Sequence, residues 1–162
     1  MTGEVGHDVD RDRQYTRETG TRLAQAFLEN TVLMPVNVVA FALFELLQRR
    51  FPDWDVYRLL RMASGEMIPW HQLEPVVAEL IGVLETMEGD EELVLSDYIH
   101  DHDVEEIIEE GVSYLRRYHI PQVVEKLMNG VALNKLELLY YYGNRVRSYD
   151  SIDMHMICEK AT

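Results

Sequence analysis

Apolar residues recur along most of this chain with the three-to-four-residue spacing of an amphipathic helix. The pattern predicts a short helix after Gly20, a longer one over Trp70–Met87 and another over Asp103–Tyr118. A helix that starts near Pro35 carries apolar side chains almost all the way round, so we expect it in the core. A last helix is predicted from Leu136 to about Tyr149.

The period changes after Pro121. Two short apolar segments, VVEKLM and VALN, flank Asn129-Gly130 within about residues 122–134. An Asn-Gly pair supplies the two positive φ angles of a type I′ turn, so this segment predicts a β-hairpin. Strands this short need helices to pack on. The predicted fold class is therefore mainly α, a compact helical domain with a small wing-like hairpin before the last helix.

Several residues predict local features of these helices. Asp53 or Asp55 can cap a short helix that continues to Met62. Pro75 falls in the first turn of the Trp70–Met87 helix, where its missing N–H costs nothing, if that helix begins near Gln72. Gly111 is expected to weaken its helix by about 1 kcal/mol relative to alanine.

The predicted domain organisation has three parts. Residues 1–19 are polar and are expected to be a flexible lead-in, residues 20–150 to form a single helical domain, and residues 151–162 a flexible tail. The length of 162 residues corresponds to one ordinary domain.

Composition and charge limit the function classes. A net charge of −14 disfavours binding to nucleic acid or to anionic lipid. Cys158, as the single cysteine, cannot form an internal disulfide. No signal peptide is recognisable, and the apolar run Val32–Phe44 is shorter than a membrane span. We therefore expect a cytoplasmic protein. Peripheral association with the inner membrane through a neighbouring domain is left open.

Basic residues are missing from a long central stretch. No Lys or Arg occurs between Arg61 and Arg116, while Asp and Glu recur throughout. The simpler interpretation is a solvated acidic face, and the alternative is a surface that docks on a basic partner.

A cluster of imidazoles and carboxylates is a candidate metal site. His100, His102 and Asp103 are ligand types that suit Zn, Fe or Mn. His100 and His102 would lie on different sides of a helix, and no Glu-x-x-His pair of a di-iron bundle occurs in the sequence. We therefore favour capping of the following helix over metal binding, and we predict no cofactor.

Two further pairs resemble parts of catalytic sites. His7 and Asp12 have the spacing of a His-x4-Asp acyltransferase dyad, but no strand precedes them and no phosphate-binding loop follows. Cys158 has His155 three residues before it, in a polar tail. Neither pair has the surrounding motif that its chemistry needs, so no catalytic residue is predicted.

Three consecutive tyrosines, residues 140–142, precede Gly143 in the last helix. Successive helical side chains rotate by about 100°, so at least one ring must be exposed. Tyr141, Asn144 and Arg145 are candidate ligands for a carboxylate or phosphate of a substrate. The alternative is a tyrosine-lined packing face.

Two segments resemble a known enzyme family. NTVLMPVNVVAFALFELL (Asn30–Leu47) resembles the segment that follows the catalytic domain in bacterial and mitochondrial glycerol-3-phosphate acyltransferases. LELLYYYGNR (Leu136–Arg145) is similar to a Tyr-Tyr-Arg-Asn stretch near the C-termini of those enzymes, with Gly143 in the place of the arginine. The acidic helix and the hairpin between them follow the order in the family.

The resemblance implies transfer of a fatty acyl group from acyl-CoA or acyl carrier protein to the 1-hydroxyl of glycerol 3-phosphate. In the family this chemistry belongs to an upstream domain with a His-x4-Asp dyad and phosphate-binding blocks, which do not occur here in context. We therefore expect a non-catalytic C-terminal accessory domain, inactive alone, whose partner is a catalytic domain in cis or trans. The alternative is a free-standing acidic helical interaction module. The oligomeric state is left open.

Overall fold

The computed structural model describes residues 9–29, 31–90 and 93–149. The chain divides into two compact units at the bond between Thr31 and Val32. The first unit contains one described helix, α1 (Val9–Glu29). The predicted tail, residues 151–162, lies outside the described residues.

The second unit carries the remaining elements. Its helices are α2 (Pro35–Arg50), α3 (Val56–Met62), α4 (Trp70–Gly89), α5 (Asp97–Asp101), α6 (Val104–Arg117) and α7 (Leu136–Arg147). Its strands are β1 (Val32–Leu33), β2 (Met67–Pro69), β3 (Val94–Leu95), β4 (Val124–Leu127) and β5 (Gly130–Leu133). The predicted fold class, mainly helical with a small sheet before the last helix, is confirmed.

Helix α1 begins much earlier than the sequence pattern predicted. Regular structure starts at Val9, so the described part of the expected lead-in is helical. Asp10 and Asp12 lie in the first turn, where carboxylates complement the positive end of the helix dipole. The Gln14 side chain donates to Glu18 one turn later. The pattern missed this helix because its residues up to 19 have no apolar stripe to reveal the period.

Helix α2 is the centre of the second unit. Every residue from Pro35 to Phe44 is buried, as is Leu47, which confirms the expected core helix. Helices α4, α6 and α7 pack against it. Asn37 is the polar residue in this run, and its side chain accepts from the Met34 N–H (2.9 Å) and donates to the Tyr142 carbonyl (3.1 Å). Hydrogen bonding thus offsets the cost of burying the amide.

The hairpin is confirmed, but its turn differs from the prediction. Leu127 pairs with Gly130, so Met128 and Asn129 are the two loop residues and Gly130 belongs to the strand. Gly130 does not have the positive φ that a type I′ turn would give it. A Cβ at Gly130 would collide with the Ile68 carbonyl. Glycine is required here because the neighbouring strand approaches closely, and not because of the turn.

Pairing with residues distant in sequence creates elements that the pattern did not predict. Strand β2 pairs antiparallel with β5, which makes a three-stranded sheet in the order β2-β5-β4. Strands β1 and β3 form a separate two-residue parallel pair. Local periodicity carries no information about such short strands.

Local expectations within the helices had mixed outcomes. Asp55 is the N-cap of α3, because its carboxylate accepts from the Arg58 N–H at 2.8 Å. Helix α4 begins at Trp70 and not near Gln72, so Pro75 lies in its second turn. A Cβ at Gly111 would lie 2.6 Å from Val39 Cγ2, so this glycine permits α6 to pack closely on α2. The predicted weakness of α6 there is the local cost of that contact.

Candidate functional site

The structure separates the three candidate metal ligands. His100 Nε2 lies 2.9 Å from Glu88 Oε2, and the other oxygen of that carboxylate accepts from the Leu95 N–H at 2.7 Å. His102 stacks on the Tyr98 ring at a centroid distance of 3.7 Å and reaches the Tyr98 carbonyl through Nδ1 at 3.0 Å. These contacts tie α4, β3 and α5 together.

Asp103 is the N-cap of α6. Its carboxylate accepts from the Glu106 N–H (2.9 Å), and Glu106 Oε2 accepts from the Asp103 N–H (3.2 Å), which forms a capping box. In residues 9–29, 31–90 and 93–149, no three His, Cys, Asp or Glu side chains are grouped so that they could hold a metal ion. The favoured interpretation, a cap at the start of the helix, holds for Asp103.

The three consecutive tyrosines of α7 point in different directions. Tyr140 packs edge-on against Phe44, with ring centroids 5.0 Å apart. Tyr142 packs against Tyr114, at 5.8 Å between centroids. Tyr141 is 64% exposed, so the prediction that at least one ring faces outward is confirmed. The stretch is therefore partly a packing face and partly exposed surface.

The two candidates that follow Tyr141 are also on the surface. Asn144 and Arg145 are exposed. Gly143 is buried, and a Cβ there would lie 2.9 Å from Phe41 Cα. A residue with a side chain, such as the arginine of the similar family stretch, does not fit at position 143 without moving α7 away from α2.

Tyr142 links two elements through polar contacts. Its hydroxyl lies 2.8 Å from His119 Nε2, just beyond the end of α6. Burial raises the pKa of Tyr142 above its usual value of 10.0, and the charge and hydrogen bond of Tyr114 raise it further. The neutral hydroxyl is therefore the stable form, and the His119 ring is held by it.

A groove of about 650 Å³ lies beside this histidine, at the C-terminal end of α6. Its polar and charged lining residues are Glu109, Ser113, Arg116, Arg117, His119 and Gln122. The sequence pattern did not predict a site at these arginines. The available signal was their position as the first basic residues after the long acidic stretch.

A second groove, of about 200 Å³, lies between α4 and α6 and is acidic. Glu74 and Glu105 line it together with Trp70, and Lys126 lies at the same groove. The Lys126 ammonium donates to both carboxylate oxygens of Glu109. Fifteen Asp and Glu residues lie between positions 62 and 115, so the acidic character of this region extends well beyond the groove.

The other candidate pairs fall mostly outside the described residues. His7, His155 and Cys158 lie there, while Asp12 lies in α1, where its carbonyl accepts from the Thr16 hydroxyl. Among the helices that the structure describes, none has the length and apolar character needed to cross a bilayer.

The structure is that of a mainly helical protein with a small antiparallel sheet. An acidic groove and a basic groove lie at different places along α6. No family model, curated protein or solved structure matches the chain.

Proposed function

We propose that this chain is a non-catalytic accessory domain that docks on the catalytic domain of a glycerol-3-phosphate acyltransferase. The resemblance of Asn30–Leu47 and Leu136–Arg145 to the region after that catalytic domain supports the choice of enzyme. The partner transfers the acyl group from acyl-CoA or acyl carrier protein to glycerol 3-phosphate. This chain helps that domain to fold, dock or be regulated.

The acidic groove between α4 and α6 is the observation that carries the docking proposal. Glu74 and Glu105 are exposed, and neither forms an ion pair with a residue in the described ranges. Carboxylates without a cation partner attract a basic surface and orient it on approach. Trp70, half-buried in the same groove, adds an apolar anchor of the type found at protein interfaces.

The contacts of the candidate metal ligands also support a non-catalytic role. His100, His102 and Asp103 each make contacts that join or start helices. Such contacts orient the side chains toward their structural partners rather than toward one another.

An acyltransferase assay tests the division of labour. The chain alone is expected to show no acyl transfer to glycerol 3-phosphate, and measurable turnover would contradict the proposal. This chain should form a complex with an acyltransferase domain that carries the His-x4-Asp dyad and the phosphate-binding blocks. The two proteins should then co-purify. The dissociation constant of that complex should rise with salt, because exposed charges are screened.

A charge-reversal variant tests the surface. Glu74→Lys should weaken the complex about tenfold or more, since like charges then face each other. Glu137→Lys makes the same change of charge at an exposed position of α7 outside the acidic groove, and it should leave the affinity within about twofold. Equal weakening by both variants would show that the groove is not the contact.

The alternative is a free-standing interaction module whose acidic groove binds another basic protein. The same carboxylates favour it. If no acyltransferase domain binds, while a basic protein binds in a salt-sensitive way that Glu74→Lys abolishes, the alternative is supported over the accessory-domain proposal.

A further inference from the structure

The basic groove at the end of α6 is unusual in a chain with a net charge of −14. Arg116 and Arg117 both line it, and neither guanidinium forms an ion pair with any residue that the structure describes. The buried Nε–H of Arg116 has no hydrogen-bond acceptor in these ranges. A buried donor without an acceptor is unfavourable, so this guanidinium gains from a ligand that accepts its hydrogen bond.

The one carboxylate in the groove does not neutralise these arginines. Glu109 instead accepts from the Lys126 ammonium through both of its oxygens. The Lys126–Glu109 pair has no net charge, so the two guanidiniums leave the groove with a charge of about +2. The groove is thus a local positive site in an acidic protein.

The negative end of the α6 dipole works against an anion here but does not outweigh the two arginines. Carbonyl groups concentrate negative charge at the C-terminus of a helix. Two of the last carbonyls of α6 are already occupied, because Tyr114 accepts from the Tyr118 N–H and Leu115 accepts from the Val123 N–H. The two guanidiniums carry about two positive charges against about half a negative charge at the helix end, so a ligand meets a net positive groove.

The neutral side chains of the groove add donors and an apolar contact. The Ser113 hydroxyl and the Gln122 amide make no hydrogen bond to a side chain or backbone atom in the described residues. His119 is oriented by its contact with the Tyr142 hydroxyl. Ile120 lines the groove and is fully exposed, beside Pro121.

We propose that this groove binds a phosphate monoester, with Arg116 and Arg117 holding the phosphate oxygens. Two planar guanidiniums bind a tetrahedral dianion through paired N–H donors, and the hydroxyl and amide supply the further donors that its additional oxygens accept. Ile120 contacts the organic part of the ester. The proposal does not rest on the accessory-domain function, because Arg116 and Arg117 do not line the acidic groove.

Phosphate monoesters come from two sources, small soluble esters and the headgroup of phosphatidic acid. Titration of the full chain with inorganic phosphate, followed by NMR of the arginine Nε–H and neighbouring amide signals, tests the first source. Binding to phosphatidylcholine vesicles that contain phosphatidic acid, compared with phosphatidylglycerol, tests the second. Phosphatidylglycerol is anionic but is a phosphodiester, so it controls for charge alone.

Arg117→Gln is the primary variant, because Arg117 is exposed and its replacement should leave the fold intact. It should raise the dissociation constant for phosphate about tenfold or more, as expected for loss of a charged hydrogen-bonding partner. Arg61→Gln removes the same charge from the exposed end of α3 and should change it less than about twofold. Arg116→Lys keeps the charge but removes the planar fork, and it should also weaken binding.

The outcomes separate the sources. Saturable binding of inorganic phosphate that Arg117→Gln weakens supports a soluble ester. Vesicle binding that requires phosphatidic acid, and that both Arg117→Gln and Ile120→Ser reduce, supports the lipid headgroup. The proposal is overturned if neither probe binds, if acetate binds as well as phosphate, or if Arg61→Gln weakens binding as much as Arg117→Gln.

Discussion

At the scale of single residues, Gly143 shows how closely α7 packs on α2. A Cβ added there would lie 2.9 Å from Phe41 Cα and 3.0 Å from its backbone nitrogen, and neither atom can move without moving the helix. Gly143→Ala should therefore lower the free energy of unfolding by about 1–3 kcal/mol, the usual range for overpacking. Urea denaturation measures the change.

Gly82, on an exposed position of α4, is the matched control. A Cβ there meets no heavy atom within 4 Å. Gly82→Ala should stabilise the protein by about 0.5–1 kcal/mol, because alanine loses less backbone entropy on folding. If both substitutions stabilise, α2 and α7 are farther apart than the structure shows.

The Tyr142 hydroxyl determines part of the alkaline stability. Its pKa is raised above 10.0 by burial and by Tyr114, so the folded state favours the neutral form. The resulting stabilisation is fully present below about pH 10 and is lost as the pH rises through the raised pKa. Tyr142→Phe cannot ionise, so its unfolding free energy should fall less steeply between about pH 9 and pH 11. Urea denaturation at several pH values gives the slope.

A second variant separates this effect from a general tyrosine effect. Tyr57→Phe removes an exposed hydroxyl from α3 and should keep the wild-type slope. An equal change of slope in both variants would show that the burial of Tyr142 and its contact with Tyr114 are not responsible.

At the scale of elements, the capping box of Asp103 and Glu106 starts α6 and so positions its buried stripe. Asp103→Ala should lower the free energy of unfolding by about 1 kcal/mol, because one backbone N–H loses its acceptor. Asp103→Asn should restore most of the loss, since asparagine caps about as well. Thermal and urea denaturation measure both variants.

Asp101, the exposed last residue of α5, is the control for charge. Asp101→Ala should change stability by less than about 0.5 kcal/mol. If Zn²⁺ stabilised the wild-type protein and Asp103→Ala abolished that effect, the cap would not be the whole role of Asp103. We expect no such stabilisation.

At the scale of the whole molecule, the carboxylates that give the chain its net charge of −14 repel one another in the folded state. Ion pairs such as Arg50–Glu66, Lys126–Glu109 and Arg147–Glu45 weaken in salt, but the surplus of carboxylates outweighs them. The free energy of unfolding should therefore rise, by about 1 kcal/mol, between low and physiological NaCl, as screening reduces the repulsion. Urea denaturation at several NaCl concentrations measures this dependence, because urea carries no charge.

A double variant, Glu74→Gln with Glu105→Gln, reduces the net charge from −14 to −12 and should flatten that dependence. A fall in stability with added NaCl in the wild-type protein would show that attractive pairs, and not repulsion, dominate.

The sequence by itself determined the features that are local in the chain. The apolar pattern placed α2 in the core and located α4, α6, α7 and the hairpin. Asp103 was recognisable as a cap, and the cap of α3 was narrowed to Asp53 or Asp55. These features depend on periodicity and on hydrogen bonds within one turn, both of which can be read from neighbouring residues. The segregation of acidic and basic residues was equally visible.

Only the tertiary structure decided which distant residues meet. Strand β2 forms by pairing with β5, and Gly130 and Gly143 are required by backbones that arrive from elsewhere in the chain. The basic groove exists because the chain returns after α6 and places Gln122 beside Arg116. Close approach and converging charge depend on packing between segments, and hydrophobic periodicity contains no information about either.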